Sequence, residues 1–210
     1  MTPVLCPHEM LLSGLAHGVR LTTMTPPDYP WSGGLMKSDE EWGELAEVTM
    51  IILGRLPHKQ KGNLMYSALE EVSDNLNSLV NLAYFSSPGR PWILKRDAWG
   101  DSMLLKQLQV SGDKTLKAFI DWRYQSIKQD MQSLTMLTVR DLGLHLAYSL
   151  LAYGYLLFLA VKYPHRLTSS YNLTQTQDDF SEYLVSLQGV WQKKREKWAL
   201  SLQPSNTQAG

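Results

Sequence analysis

Apolar residues recur at helical spacing along most of this chain. Leu116, Ile120, Tyr124, Ile127, Met131, Leu134 and Leu137 alternate steps of three and four, which is one face of an α-helix starting near Lys114. A second stripe, Leu69, Val72, Leu76, Leu79, Val80 and Ala83, predicts a helix from about Gly62 to Tyr84. Its other side, Glu70, Glu71, Asp74, Asn75 and Asn77, reads as facing solvent. Trp42, Leu45, Ala46, Thr49, Ile52 and Leu53 mark an earlier helix that Pro57 ends. Its start is expected at Ser38-Asp39-Glu40-Glu41, a capping box in which Ser38 and Glu41 satisfy each other's backbone N–H groups. Between these lies a helix over roughly Trp92 to Val110, with Leu94, Ala98, Leu105 and Leu108 inward and a break at Ser111-Gly112-Asp113.

The stretch Val139 to Arg166 has a different texture, because Leu142 to Val161 contains no Lys, Arg, Asp or Glu. Three readings stand open. A bilayer core needs about 20 apolar residues, and this run supplies them with basic residues at both ends. A helix apolar all round is also what the centre of a larger bundle requires. The third reading rests on Arg140 and His145 and is taken up below. After a polar loop from Thr168 to Thr176, Phe180, Tyr183, Leu184, Leu187, Val190 and Trp191 predict a last helix. No segment alternates with period two for long, so the expected class is all-α, an up-and-down four-helix bundle extended by two C-terminal helices. The expected organisation is an irregular arm over 1–37, rich in proline, a helical domain over 38–200 and a disordered tail over 201–210.

Composition narrows the functional classes. Lys plus Arg and Asp plus Glu number 20 each, so nothing in the overall charge draws the chain to nucleic acid or acidic lipid. Local basic clusters remain: Arg55, Lys59 and Lys61 at the first break, Arg90, Lys95 and Arg96 at the second, and Lys193, Lys194, Arg195 and Lys197 on the last helix. The last cluster, beside Trp191 and Trp198, is the candidate for phosphate contact with base stacking. The five histidines occupy separate contexts, Cys6 is the sole cysteine, and no His-x-x-x-His spacing occurs, so neither metal nor cofactor is expected. No phosphate-binding glycine loop or nucleophile elbow points to a small-molecule substrate. A cytoplasmic location is expected from the lone cysteine and the absence of a basic leader before an apolar run. Tryptophans near turns, Trp31, Trp92 and Trp99, suit anchors for a protein partner or self-association.

Two resemblances sharpen these expectations. The break Arg55-Leu56-Pro57-His58-Lys59, the helix end Leu82-Ala83-Tyr84, the run Ile93-Leu94-Lys95-Arg96-Asp97-Ala98 and the helix led by Tyr124 follow one another in order. These landmarks, from Trp42 to Leu137, resemble the four-helix-bundle family that includes Avd, the accessory protein of diversity-generating retroelements. That resemblance implies a pentameric, barrel-like, non-enzymatic assembly that binds a reverse transcriptase and its template RNA. Arg140-Asp141-Leu142-Gly143-Leu144-His145 resembles the R-D-x-x-x-H signature of HEPN-type ribonucleases. There the histidine would handle the ribose 2′-hydroxyl or leaving-oxygen proton, and the arginine would stabilise phosphorane charge. The expected function is therefore an oligomeric accessory subunit of a nucleic-acid-handling complex. The alternatives are a ribonuclease using Arg140 and His145, and a membrane-associated protein.

Overall fold

The computed structural model describes residues 31–59, 62–86, 99–135 and 137–201, together with Glu9. Their helices are α1 (Trp31–Ile52), α2 (Leu64–Ser86), α3 (Trp99–Leu108), α4 (Leu116–Gln132), α5 (Val139–Lys162) and α6 (Asp179–Ser201). Two short 3₁₀ turns, Pro164–Arg166 and Leu173–Gln175, link α5 to α6. The class is all-α.

Two helices take the centre. α2 packs against α1, α5 and α6, while α5 packs against α2, α3 and α4. Among the described residues, α5 is the helix that packs against α2, α3 and α4 alike. Every residue from Leu146 to Ala160 is buried, so the apolar run that sequence alone left open forms the core of this fold. Each leucine or phenylalanine so covered contributes about 1.5–3 kcal/mol. The tyrosines inside this run find polar partners in the protein. Thr49 donates its hydroxyl hydrogen to the Leu45 carbonyl, which leaves its oxygen to accept from Tyr153 at 2.8 Å. Tyr155 donates to the Thr176 carbonyl.

The stop and start signals are partly as expected. Gly54, at φ +71°, closes the end of α1 with Arg55 N–H on the Met50 carbonyl, so the helix stops at Ile52, five residues before Pro57. Gly112, at φ +76°, breaks the chain between α3 and α4 where predicted. Thr115 then caps α4 by accepting from the Ala118 N–H. The loop after α5 satisfies further free donors there, with Leu116 and Lys117 N–H on the Ser169 and Leu167 carbonyls.

Four expectations need correction. α1 is already helical at Trp31, so Ser38 is a buried interior residue and not a cap, and residues 31–37 belong to the helix. Gly34 permits this, because a Cβ there would lie 2.9 Å from the Leu82 side chain, and without one α1 approaches α2 closely. Leu137 lies beyond the end of α4 and is 92% exposed. On α3, Leu104 and Leu108 are buried while Leu105 is exposed, a face rotated by one residue. The supposed solvent face of α2 is mostly interior, since Glu71, Asp74, Asn75 and Asn77 are all buried. Of the tail expected over 201–210, Ser201 is the last residue of α6, and residues 202–210 lie outside the described residues, as do Leu94 and Ala98.

Gly154 is where three helices meet. A Cβ at this position of α5 would lie 2.5 Å from the Tyr183 hydroxyl of α6 and 3.0 Å from both methyls of Val72 on α2. That hydroxyl is fixed, because it donates to the Leu151 carbonyl. Gly154→Ala is therefore expected to destabilise the fold by about 1–3 kcal/mol in chemical denaturation, although alanine is the better helix former. A stability equal to or above wild type would contradict this packing.

Candidate metal centre between the first two helices

Helical spacing alone gathers acids on two faces that meet. On α1, Glu41 and Glu44 stand three residues apart and so share a face. On α2, Glu71 and Asp74 do the same, with Glu70 one turn before Asp74. Packing α1 on α2 brings one carboxylate oxygen each of Glu41, Glu44 and Glu71 within 4.8 Å of one another. Glu41 and Glu71 are buried, and Glu44 is exposed. Asn75 joins the two helices at this point, its amide nitrogen donating to the backbone carbonyls of Glu41 and Glu71 at 2.9 Å each.

Carboxylates this close repel one another and lose hydration. Burial pushes the Glu41 carboxyl above the ordinary glutamate range, and the neighbouring Asp74 adds to the effect. Burial likewise raises Asp74, with Glu70 contributing and Lys194 opposing. Two lysines offset part of this charge. Lys37 lies 2.5 Å from Glu41 and 3.1 Å from Glu40. Lys194, on α6, lies 2.7 Å from Glu70 and 2.9 Å from Asp74. The compensation is incomplete. Asp74 Oδ1, Asn75 Oδ1 and Ser38 Oγ are buried and have no hydrogen-bond partner among the described residues. Buried acceptors without donors are uncommon and point to a bound water or ion.

The donor set suits a hard cation. It consists of oxygens alone, which favours Mg²⁺, Mn²⁺ or Ca²⁺ over the nitrogen and sulfur preferences of Zn²⁺. Oxygens bound to one such ion at about 2.1–2.5 Å lie no more than about 4–5 Å apart. The three carboxylate oxygens, all within 4.8 Å of one another, fall inside the upper end of that range.

Among the described residues, those predicted for function lie on separate elements. Arg55 makes a two-pronged ion pair with Asp121, at 2.7 and 2.6 Å, and Lys59 pairs with Glu47 at 2.7 Å. Lys194 is held by Glu70 and Asp74, while Lys193 and Lys197 lie on α6, which also carries Arg195. Lys61, Arg90, Lys95 and Arg96 lie outside the described residues. Arg140 is in the first turn of α5. His145 Nε2 stands 3.6 Å from Asp130 of α4. A cavity of about 270 Å³ lies away from the acids, under the turns between α5 and α6, with Arg166, Tyr171 and Thr176 in its wall. Family models, curated proteins and solved structures yield no match to this chain.

Sequence reasoning missed the acids themselves. The signal was present as Glu40-Glu41-x-x-Glu44 on one helix and Glu70-Glu71-x-x-Asp74 on the next. A search for histidine and cysteine ligands passes over an all-carboxylate site.

A pH signature follows from the raised carboxyls. The folded chain binds protons at Glu41 and Asp74 before the unfolded chain does. These groups therefore weaken the metal-free fold at neutral pH, and the weakness disappears as pH falls through their folded-state pKa values towards about 4. Glu41→Gln mimics the neutral form. In thermal melts without divalent ions it should exceed wild type in stability at pH 7, and the difference should vanish near pH 4. If Glu41→Gln were instead less stable than wild type at pH 7, Glu41 would be held as a stabilising ion pair with Lys37.

Proposed function

We propose that this chain is a divalent-cation-dependent hydrolase of a phosphoanhydride in a small nucleotide-type substrate. The observation that carries the reading is the meeting of Glu41, Glu44 and Glu71 from two helices within 4.8 Å, two of them buried. Carboxylate-held Mg²⁺ or Mn²⁺ commonly completes its coordination with substrate phosphates, which it polarises while acidifying a bound water. The protein's own part is to place the acids and to supply cations near the phosphates. Glu44 is exposed and marks the side from which substrate reaches the cluster. Lys37, with its side chain 39% exposed beside Glu41, is in position to turn towards a phosphate oxygen. In the reaction a water oxygen forms a new P–O bond and its proton passes to a carboxylate of the cluster. The anhydride P–O bond breaks, and the leaving phosphate takes the bond electrons.

A small substrate suits this site better than a long polymer. Arg55, Lys59 and Lys194, expected to contact RNA, are each engaged by acids. The burial of α5 supports its reading as a core helix. Among the described residues, the accessory-subunit and ribonuclease readings have no comparable constellation in their support.

The test is hydrolysis of a panel of nucleoside triphosphates by purified protein with Mg²⁺ or Mn²⁺. Release of phosphate or pyrophosphate should cease with a chelator and fall at least about 100-fold in Glu71→Gln, the scale on which loss of a metal-held reaction is read. Undiminished activity in a folded Glu71→Gln variant, or none with any triphosphate and metal, would overturn the proposal.

A further inference from the structure

The metal reading above leaves one charged group of the site without a role. Lys194 reaches from α6 to the acids of α2 and bridges two of them. Its Nζ lies 2.7 Å from Glu70 Oε1 and 2.9 Å from Asp74 Oδ2, and its side chain is 17% exposed. Burial opposes its charge, but the hydrogen bonds to Glu70 and Asp74 outweigh burial and raise its pKa above the ordinary lysine value. It is therefore a permanent cation. Its placement is also firm. One turn earlier Trp191, fully buried, donates its indole N–H to Asn77 Oδ1 on α2, so this part of α6 is locked onto the acid-bearing helix.

Asp74 stands one helical turn from Glu71 and close enough to raise the proton affinity of Glu41. Glu70 and Asp74 thus form a second acidic step beside the Glu41, Glu44 and Glu71 trio. Carboxylate sites for phosphate chemistry often hold two divalent ions about 3.5–4 Å apart. Here an ammonium already spans the second step.

Resting on the metal assignment above, we propose that Lys194 is a built-in second cation: it occupies the position between Glu70 and Asp74 that a second divalent ion would take, and so makes the site mononuclear. The lysine offsets one of the two charges of Glu70 and Asp74 without metal and leaves the trio as the one exchangeable position. A lysine serving only to fasten α6 to α2 would have no effect on metal stoichiometry, which separates the two roles.

The measurement is calorimetric titration of the full chain with Mn²⁺ at neutral pH, with thermal melts alongside. Wild type is expected to bind one Mn²⁺ per chain and Lys194→Ala two, with Mn²⁺ restoring the melting temperature that Lys194→Ala loses. Lys194→Gln keeps most of the side chain's packing and removes its charge, and it should also bind two if Lys194→Ala does not fold. Two ions on wild type, or one ion on both folded variants, would overturn the proposal. A wild type that binds none while Lys194→Ala binds one would sink the Glu41, Glu44 and Glu71 site yet support Lys194 as a stand-in cation. No Mn²⁺ on any of them would overturn both.

Discussion

From Ala68 to Leu79, α2 is buried on nearly every side, and Glu70 alone is partly exposed. Its apolar face meets α5, which any bundle would provide. Its acidic face meets α1 and α6, and there the burial of Glu71 and Asp74 opposes folding, because isolated charges lose several kcal/mol of hydration on transfer to an interior. The arrangement persists because lysines approach from both neighbours, Lys37 from α1 and Lys194 from α6, and because Asn75 ties the α1 and α2 backbones together at the same level. The packing of α1 and α6 follows from how α2's acids are accommodated.

The central helix α5 makes that accommodation tolerable. From Leu146 to Ala160 it is buried without a break, and it packs against α2, α3 and α4. At Gly154 it narrows to let Val72 and Tyr183 approach, which sets the distance between the core helix, α2 and α6. An aromatic group, Trp42 stacked on Tyr124 at 5.0 Å with Tyr153 beside both, links α1, α4 and α5. Apolar packing of this kind supplies stability that offsets the cost of the acid cluster. Functional sites commonly hold such locally unfavourable charge.

Much of the fold was legible in the residue pattern. The period-3.6 stripes on α2, α4 and α6 correctly placed Leu69, Val72, Leu76, Ile120, Ile127, Leu184 and Leu187 inside, because apolar residues reveal a buried face whatever covers it. Helix starts were harder. Ser38 with Glu41 has the spacing of a capping box, yet that same spacing occurs inside a helix, and residues 31–37, assigned to the irregular arm, include a point of close helix contact at Gly34. The site was harder still. Periodicity assigns a polar face to solvent when a helix has one partner, whereas α2 has three, so Glu71, Asp74 and Asn75 were read as exposed. Pairing of i and i+3 acids on two successive helices carried the missing information. It becomes interpretable only once α1 and α2 are known to face each other.

The proposed cation between α1 and α2 would be held by Glu41, Glu44 and Glu71. An anomalous difference map from crystals soaked in Mn²⁺ tests it most directly. A single peak bound by all three carboxylates, at about 2.1–2.5 Å from each, is the predicted result. A map with no density between α1 and α2, or a peak bound only by surface acids elsewhere, would contradict the account and return the cluster to a buried ion-pair network without a ligand.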